Sequence, residues 1–203
     1  MERKTQTGYL VLADLSGYTS FIAKTEIDHA DVVISAMLET IIEKLSNMLT
    51  IVKLEGDAVF AYVPDDKVSS CEAMLELLDN TYRIFRESSN TMYETATCGC
   101  KACKAIPTLD LKFFVHHGEY VIQKVAGIID LMGNDVTLIH RLAKNRVTEA
   151  TGWNGYALFT GHCLERMQAD KRPFVQQAET YEHLGDVETF VMDMHVRYHE
   201  MKT

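Results

Sequence analysis

The order in which hydrophobic periods change along the first third of the chain constrains its fold most. Tyr9 to Ala13 is a short apolar run that stops at Asp14 and the Ser16-Gly17 pair, so it reads as a buried strand ending in a polar turn. From Ala30 the apolar residues Val33, Ile34, Met37, Leu38, Ile41, Ile42 and Leu45 recur at helical spacing and make one wide apolar stripe. Leu49 to Lys53 and Ala58 to Tyr62 are strand-like runs joined by Leu54-Glu55-Gly56-Asp57, where Gly56 is free to take a positive φ and close a hairpin. A second long helix is expected from about Ser69 to Glu87, then a cysteine-rich loop. Leu109 to Val115 and Glu119 to Ala126 follow as strands around a His117-Gly118 turn. Asp135 to Lys144 suits a third helix, and from Tyr156 short strands alternate with helical turns. This order predicts an α+β fold of the ferredoxin-like type (βαββαβ), an antiparallel-rich sheet with helices on one face. The other face needs cover, which dimerisation would supply.

With 203 residues, only 3 Pro and no linker or repeat, the chain reads as a single domain over 1–203 with a Cys-rich insertion at about 95–106. A chain of this length buries roughly 70% of its unfolded surface and can build a core without disulfides. The 29 Asp plus Glu outnumber the 20 Lys plus Arg and leave a net charge of −9, which argues against a nucleic-acid partner, since phosphate binding needs clustered cations. An anionic ligand must therefore meet a local cation or a metal. No apolar run approaches the ~18 residues of a membrane span, and the polar start Met1 to Thr7 carries no export signal. A soluble cytoplasmic protein without a membrane partner is the expectation.

Asp14, at the end of the first strand, and Asp57, in the hairpin turn, belong to elements that neighbour each other in such a sheet. Both carboxylates could converge on a hard cation such as Mg²⁺ or Mn²⁺. On spacing alone the plainer reading is favoured, with Asp14 as a turn cap and Asp57 as a favourable hairpin residue.

The surrounding residues weigh against that plainer reading. Asp14-Leu15-Ser16-Gly17-Tyr18-Thr19 resembles the first metal motif of the class III nucleotide cyclases, the catalytic domains of adenylate and guanylate cyclases. Lys53-Leu54-Glu55-Gly56-Asp57 resembles their second, and His117-Gly118-Glu119, Gly127, Asp130-Leu131-Met132-Gly133, Val136 and Arg141 a third. The three stand in the family's order, and the resemblance covers roughly Tyr9 to Met194. It implies conversion of ATP to 3′,5′-cyclic AMP and pyrophosphate with two Mg²⁺ or Mn²⁺ ions per site, held by Asp14 and Asp57 with Leu15 between them and the glycine turn. Ser16, Gly17, Tyr18 and Thr19 would face the phosphates. Lys53 and Asp130 fall on the two base-reading positions, and a Lys and Asp pair there resembles adenylate rather than guanylate cyclases, so ATP is the favoured substrate. Arg141 matches the arginine that stabilises charge at the α-phosphate. In the family the arginine and base-reading pair come from one subunit and the metal carboxylates from the other, which implies a homodimer with composite sites.

The pattern is broken in places. Thr137 stands where the family has an asparagine that orients the ribose, and Leu184, beside His183, stands where many cyclases have a phosphate-binding lysine. Lys144 or Arg146 could substitute for that lysine. These departures keep open a catalytically weak, nucleotide-binding regulatory domain, and a cyclase for GTP or a pyrimidine nucleotide. His140 has no evident role. Cys98-Gly99-Cys100-Lys101-Ala102-Cys103 is independent of the resemblance: three thiols within six residues suit structural Zn²⁺, with plain reduced thiols or a redox disulfide as alternatives. Cys71, Cys163, His116 or a dimer mate could supply the fourth ligand. His29 and His195 to His199 read as surface residues, and Trp153 as a loop anchor or partner contact.

Overall fold

A computed structural model of the chain describes residues 4–202 apart from 69 and 183, and of Cys71 the backbone alone. The first apolar run is strand β1 (Gln6–Ser16), whose pleat sends side chains alternately into two cores. Tyr9, Val11, Ala13 and Leu15 enter one, Leu10 and Leu12 the other. Asp14 shares the parity of Leu10 and Leu12, so it emerges on the second face at the strand's end.

Two helices follow, α1 (Tyr18–Lys24) and α2 (Ile27–Leu45), and then the expected hairpin of β2 (Thr50–Glu55) and β3 (Ala58–Pro64), with Gly56 at φ 69° in its turn. The next helix, α3 (Cys71–Thr95), runs about two turns past the expected Glu87, capped at its start by Ser70 Oγ, which accepts from the Ala73 N–H at 3.2 Å. A short α4 (Lys101–Ala105) and a 3-10 turn (Ile106–Thr108) lead into β4 (Asp110–Val125). After it come β5 (Ile128–Met132), α5 (Asn134–Leu142), α6 (Val147–Thr151), β6 (Tyr156–Thr160), α7 (Gly161–Met167), β7 (Val175–Tyr181), β8 (Gly185–Asp193) and α8 (Met194–Glu200).

The strands form one sheet in the order β2-β3-β1-β4-β6-β8-β7, with β5 paired to the far end of β4. All pairings are antiparallel except β4 with β6, in keeping with the α+β expectation. The long helices lie on one face, where Met37 and Ile41 of α2, Leu78 and Phe85 of α3 and Leu164 of α7 fill the first core. The second face is not left wholly to a partner. Val136, Ile139 and Leu142 of α5 and Val147 of α6 cover Leu10, Phe60, Phe114 and Leu158.

The structure corrects the expected turn at His117-Gly118. β4 runs straight through it for 16 residues, and the reversal comes at Ala126 and Gly127, with φ of 50° and 89°. Gly118 instead permits a close approach, since a Cβ there would collide with the Asp135 side chain. Asp135 accepts from the Glu119 N–H at 2.6 Å and pairs with buried His116 at 3.1 Å, tying the first turn of α5 to β4.

The tail is pinned by a buried carboxylate. Asp110 accepts from Tyr82 Oη at 2.8 Å and from the Leu111 N–H at 2.9 Å, and its other oxygen lies 2.7 Å from His195 Nε2. His195, whose side chain is 40% exposed, thus reaches the surface as expected but is also an anchor, a role the sequence did not show, and Asp110 raises its pKa, countering burial. Asp110→Ala strands those donors in a buried site and is expected to cost about 3 kcal/mol, read as a lower thermal midpoint. Asp170→Ala, at an exposed pair, is the near-neutral control.

Candidate functional site

Three strands place the first group of charges. Asp14 on β1 stands in register between Ala58 on β3 and Lys112 on β4, and Asp57 directly precedes Ala58. The Leu15 N–H donates to the Asp57 carbonyl at 3.2 Å, fixing the hairpin turn against the end of β1. Burial and, secondarily, the Asp57 charge push the Asp14 carboxyl up to about 6, against the opposing pull of Lys112. Burial also raises Asp57, again opposed by Lys112. The Lys112 ammonium lies 5.7 Å from the centroid of the Tyr156 ring, whose hydroxyl donates to Asn145 at 3.0 Å. Leu15 turns its side chain into the core, so its backbone is what it can offer a ligand.

A second group lies where the β2-β3 hairpin meets β5. Lys53 Nζ is 2.7 Å from Asp130 and 3.0 Å from Glu55, and His140 of α5 sits 3.3 Å from Glu55 with its ring edge-on to Phe60. Burial is the largest single influence and opposes the charge on Lys53 and on Asp130, but it is outweighed in sum: the hydrogen bonds and charges of Asp130 and Glu55 raise the lysine, and those of Lys53, with the Leu131 N–H and the His140 charge, lower the aspartate. Burial lowers His140 despite Glu55. Lys53 and Asp130 are each about a third exposed, so their pair holds little stability and its groups can be redirected to a ligand at small cost.

The remaining expected residues are distributed around these groups. Arg141 is exposed on α5, and among the described residues its side chain makes no hydrogen bond or ion pair. Thr137, one turn earlier, donates its hydroxyl back to the Gly133 carbonyl at 3.2 Å. Ser16 is buried, Gly17 takes φ 87°, Tyr18 packs on the first core and Thr19 faces solvent. Leu184 packs on the second core, as does Trp153, while Lys144 and Arg146 are exposed. His183 lies outside the described residues, and so does the Cys71 side chain. Cys98, Cys100 and Cys103 stay together, but two suggested fourth ligands are elsewhere: Cys163 is buried 3.6 Å from the Met167 sulfur, and His116 holds Thr160 and Asp135.

Lys112, Glu55 and the role of His140 were missed from sequence. The signal for Lys112 was a lysine set between Leu111 and Phe113 in a central strand; for Glu55 and His140 it was absent, because 85 residues separate their strand and helix positions (140 − 55).

The charges of Asp57 and Lys112 act on Asp14 and that of Lys112 acts on Asp57, whereas those acting on Lys53, Asp130 and His140 come from one another and Glu55. The chain therefore carries two separate clusters. The first has the donor set of a hard divalent cation: two oxygen ligands, one kept from ionising freely by burial and by its neighbour. Residues Asp14 and Asp57, with the Leu15 backbone, fit that role.

Because Asp14 titrates near 6 when folded and near 3.8 when unfolded, its charge opposes folding above pH 6 and the cost vanishes below about pH 4. Asp14→Asn is expected to stabilise the metal-free protein at pH 8 by roughly 2 kcal/mol, with the gain fading on acidification. Mn²⁺ should raise the melting midpoint of the wild type at pH 8, less so as protons compete below pH 6, and should not raise that of the variant. Thermal melts across pH with and without Mn²⁺ check this, and a pH-independent difference would contradict it.

Residues 34–151, more than half of the chain, match the family model described as "Protein of unknown function (DUF2652)". A protein of Mycobacterium tuberculosis described as uncharacterized is 29% identical over 163 residues, covering 78% of this chain and 72% of its own. Among solved structures, a bacterial light-regulated adenylyl cyclase superposes with a TM-score of 0.73 at 13% identity over 96% of this chain; the chain spans 54% of that protein's length. The guanylyl cyclase Cya2 gives the same score and identity over 94% of this chain and 93% of its own. The adenylyl cyclase CyaB from P. aeruginosa gives 0.62 at 12% identity, over 94% and 95%. The fold is that of adenylyl and guanylyl cyclase domains, and by its sequence the chain belongs to the DUF2652 family.

Proposed function

We propose that the chain is a nucleotide cyclase that converts ATP to 3′,5′-cyclic AMP and pyrophosphate at the interface of a homodimer. The observation that carries this reading is the pairing of Asp14 with Asp57 at the end of β1, on a cyclase fold, with the Lys53–Asp130 pair as a separate second cluster. In the proposed reaction the ribose 3′ oxygen forms a bond to the α-phosphorus, the bond to the β-phosphate bridging oxygen breaks, and the 3′-hydroxyl proton leaves to solvent. Two divalent cations, held by Asp14 and Asp57, would supply charge neutralisation at the attacking and leaving oxygens.

The chain's own residues do the rest. Lys53 would donate to, and Asp130 accept from, the adenine edge once their mutual contact opens. Arg141, without a partner in its own chain among the described residues, would place a fixed positive charge at the α-phosphate. Two half-sites on one chain call for a second copy to complete each other. The exposed apolar residues Val125, Ile128, Ile129 and Met132, all on the β4-β5 arm beside Asp130, supply a surface of the right character for that contact.

One observation favours a second reading. Thr137 turns its hydroxyl onto the Gly133 carbonyl, and Leu184 is packed in the core, so ribose and triphosphate would be held by fewer groups than in the related enzymes. A nucleotide-binding regulatory domain without turnover needs no more than this.

Turnover of ATP, GTP, CTP and UTP with Mn²⁺, reading cyclic nucleotide and pyrophosphate, decides between them. Cyclic AMP is expected, lost in Asp57→Asn and reduced about 10²–10³-fold in Arg141→Ala. A different cyclic product would retain the metal assignment and overturn that of Lys53 and Asp130. Binding with no product from any nucleotide would establish the regulatory reading.

A further inference from the structure

We propose that His29, Cys98, Cys100 and Cys103 form a closed, four-coordinate structural Zn²⁺ site that fastens the Cys-rich loop to the start of α2. Their ligand atoms all lie within 4.8 Å of one another, and among the described residues this is the one group of His, Cys, Asp or Glu gathered in this way. His29 Nδ1 is 3.2 Å from the Cys100 sulfur and 3.6 Å from that of Cys98. A tetrahedral ion with Zn–S of about 2.3 Å and Zn–N of about 2.0 Å requires ligand-to-ligand edges of roughly 3.5–3.8 Å, so little adjustment brings the four onto one ion. Three thiolates and an imidazole are a soft donor set, suited to Zn²⁺ and unsuited to the Mg²⁺ or Mn²⁺ that two carboxylates would hold.

The surroundings orient the ligands. The Cys100 N–H points at the Cys98 sulfur at 3.4 Å and the Cys103 N–H at the Cys100 sulfur at 3.3 Å, each offering a hydrogen bond that supports a charged thiolate. Glu26, three residues before His29, accepts from the N–H groups of Lys101 and Ala102 at 3.0 and 3.3 Å, so the same two segments are tied twice. Residues 96–99 have no regular structure, and the buried anchors that follow are Ala102 and Ile106. Little apolar burial offsets the entropy of ordering this loop, and metal binding would supply the missing free energy. A disulfide would use two of the thiols and leave the third, and His29, converging on nothing.

The placement gives the site a structural purpose. α4 runs from the cysteines into the 3-10 turn whose Thr108 carbonyl lies against Gly17, where a Cβ would come within 2.8 Å of it. The zinc knuckle therefore braces, from behind, the turn that follows Asp14.

The test is metal content of the reduced full-length protein by plasma mass spectrometry, followed by Co²⁺ exchange. One zinc per chain is expected, with the visible bands of tetrahedral thiolate cobalt after exchange. His29→Ala should weaken zinc retention at least about tenfold, and Cys103→Ser should abolish stoichiometric binding. Should a variant fail to fold, stripping the wild type with a chelator should lower its melting midpoint, and added Zn²⁺ should restore it. Free reduced thiols without stoichiometric zinc, a disulfide among the three cysteines, or zinc retained undiminished in both variants would each overturn the proposal. None of these readouts depends on nucleotide turnover, so this site and the cyclase reading stand or fall separately.

Discussion

A carboxylate in the wrong solvent organises this molecule. Asp14 continues the inward parity of Leu10 and Leu12, and burial there, with Asp57 beside it, holds its pKa near 6. That arrangement costs stability unless something positive arrives. Lys112, opposite Asp14 in the register, relieves part of the strain and leaves the rest for a ligand. Most features on the second face can be read from this point: the hairpin that carries Asp57 is fixed to β1 by a backbone hydrogen bond, and α5 covers the apolar residues that precede Asp14 on the same face.

The two faces of the sheet divide the labour. One packs against long helices and holds most of the apolar core, so it resists deformation. The other is thinly covered, carries both charged clusters, and leaves the apolar β4-β5 arm open. Buried rigidity on one side and unsatisfied chemistry on the other is what a site completed by a second subunit requires.

Local periodicity made the first half of the fold legible. The β1 run, the stripe of α2 and the Gly56 hairpin all follow from apolar spacing and one glycine conformation, and the same reading put Asp14 at the end of β1 and Asp57 in the turn of the neighbouring hairpin. Errors arose where tertiary contact, not local preference, decided the outcome. His117-Gly118 looks like a turn in isolation, yet its glycine serves to admit Asp135 against an unbroken strand. His29 is the helix-surface residue expected, but its approach to Cys98 and Cys100 could not be read, because those cysteines lie about seventy positions away in sequence (|i−j| of 69 to Cys98). His195 and Asp110 are separated by 85 positions and escaped notice for the same reason.

The central claim is that one chain holds two halves of a site that belong to different composite centres. Mixing the inactive variants Asp57→Asn and Arg141→Ala tests it most directly, with cyclic nucleotide formation as the readout. Random exchange of subunits should make heterodimers in which one site has both lesions and the other has none, restoring about a quarter of wild-type activity by statistics. A mixture that is no more active than either variant alone, although subunit exchange is verified, would contradict the account, because the carboxylates and the arginine would then act within one chain.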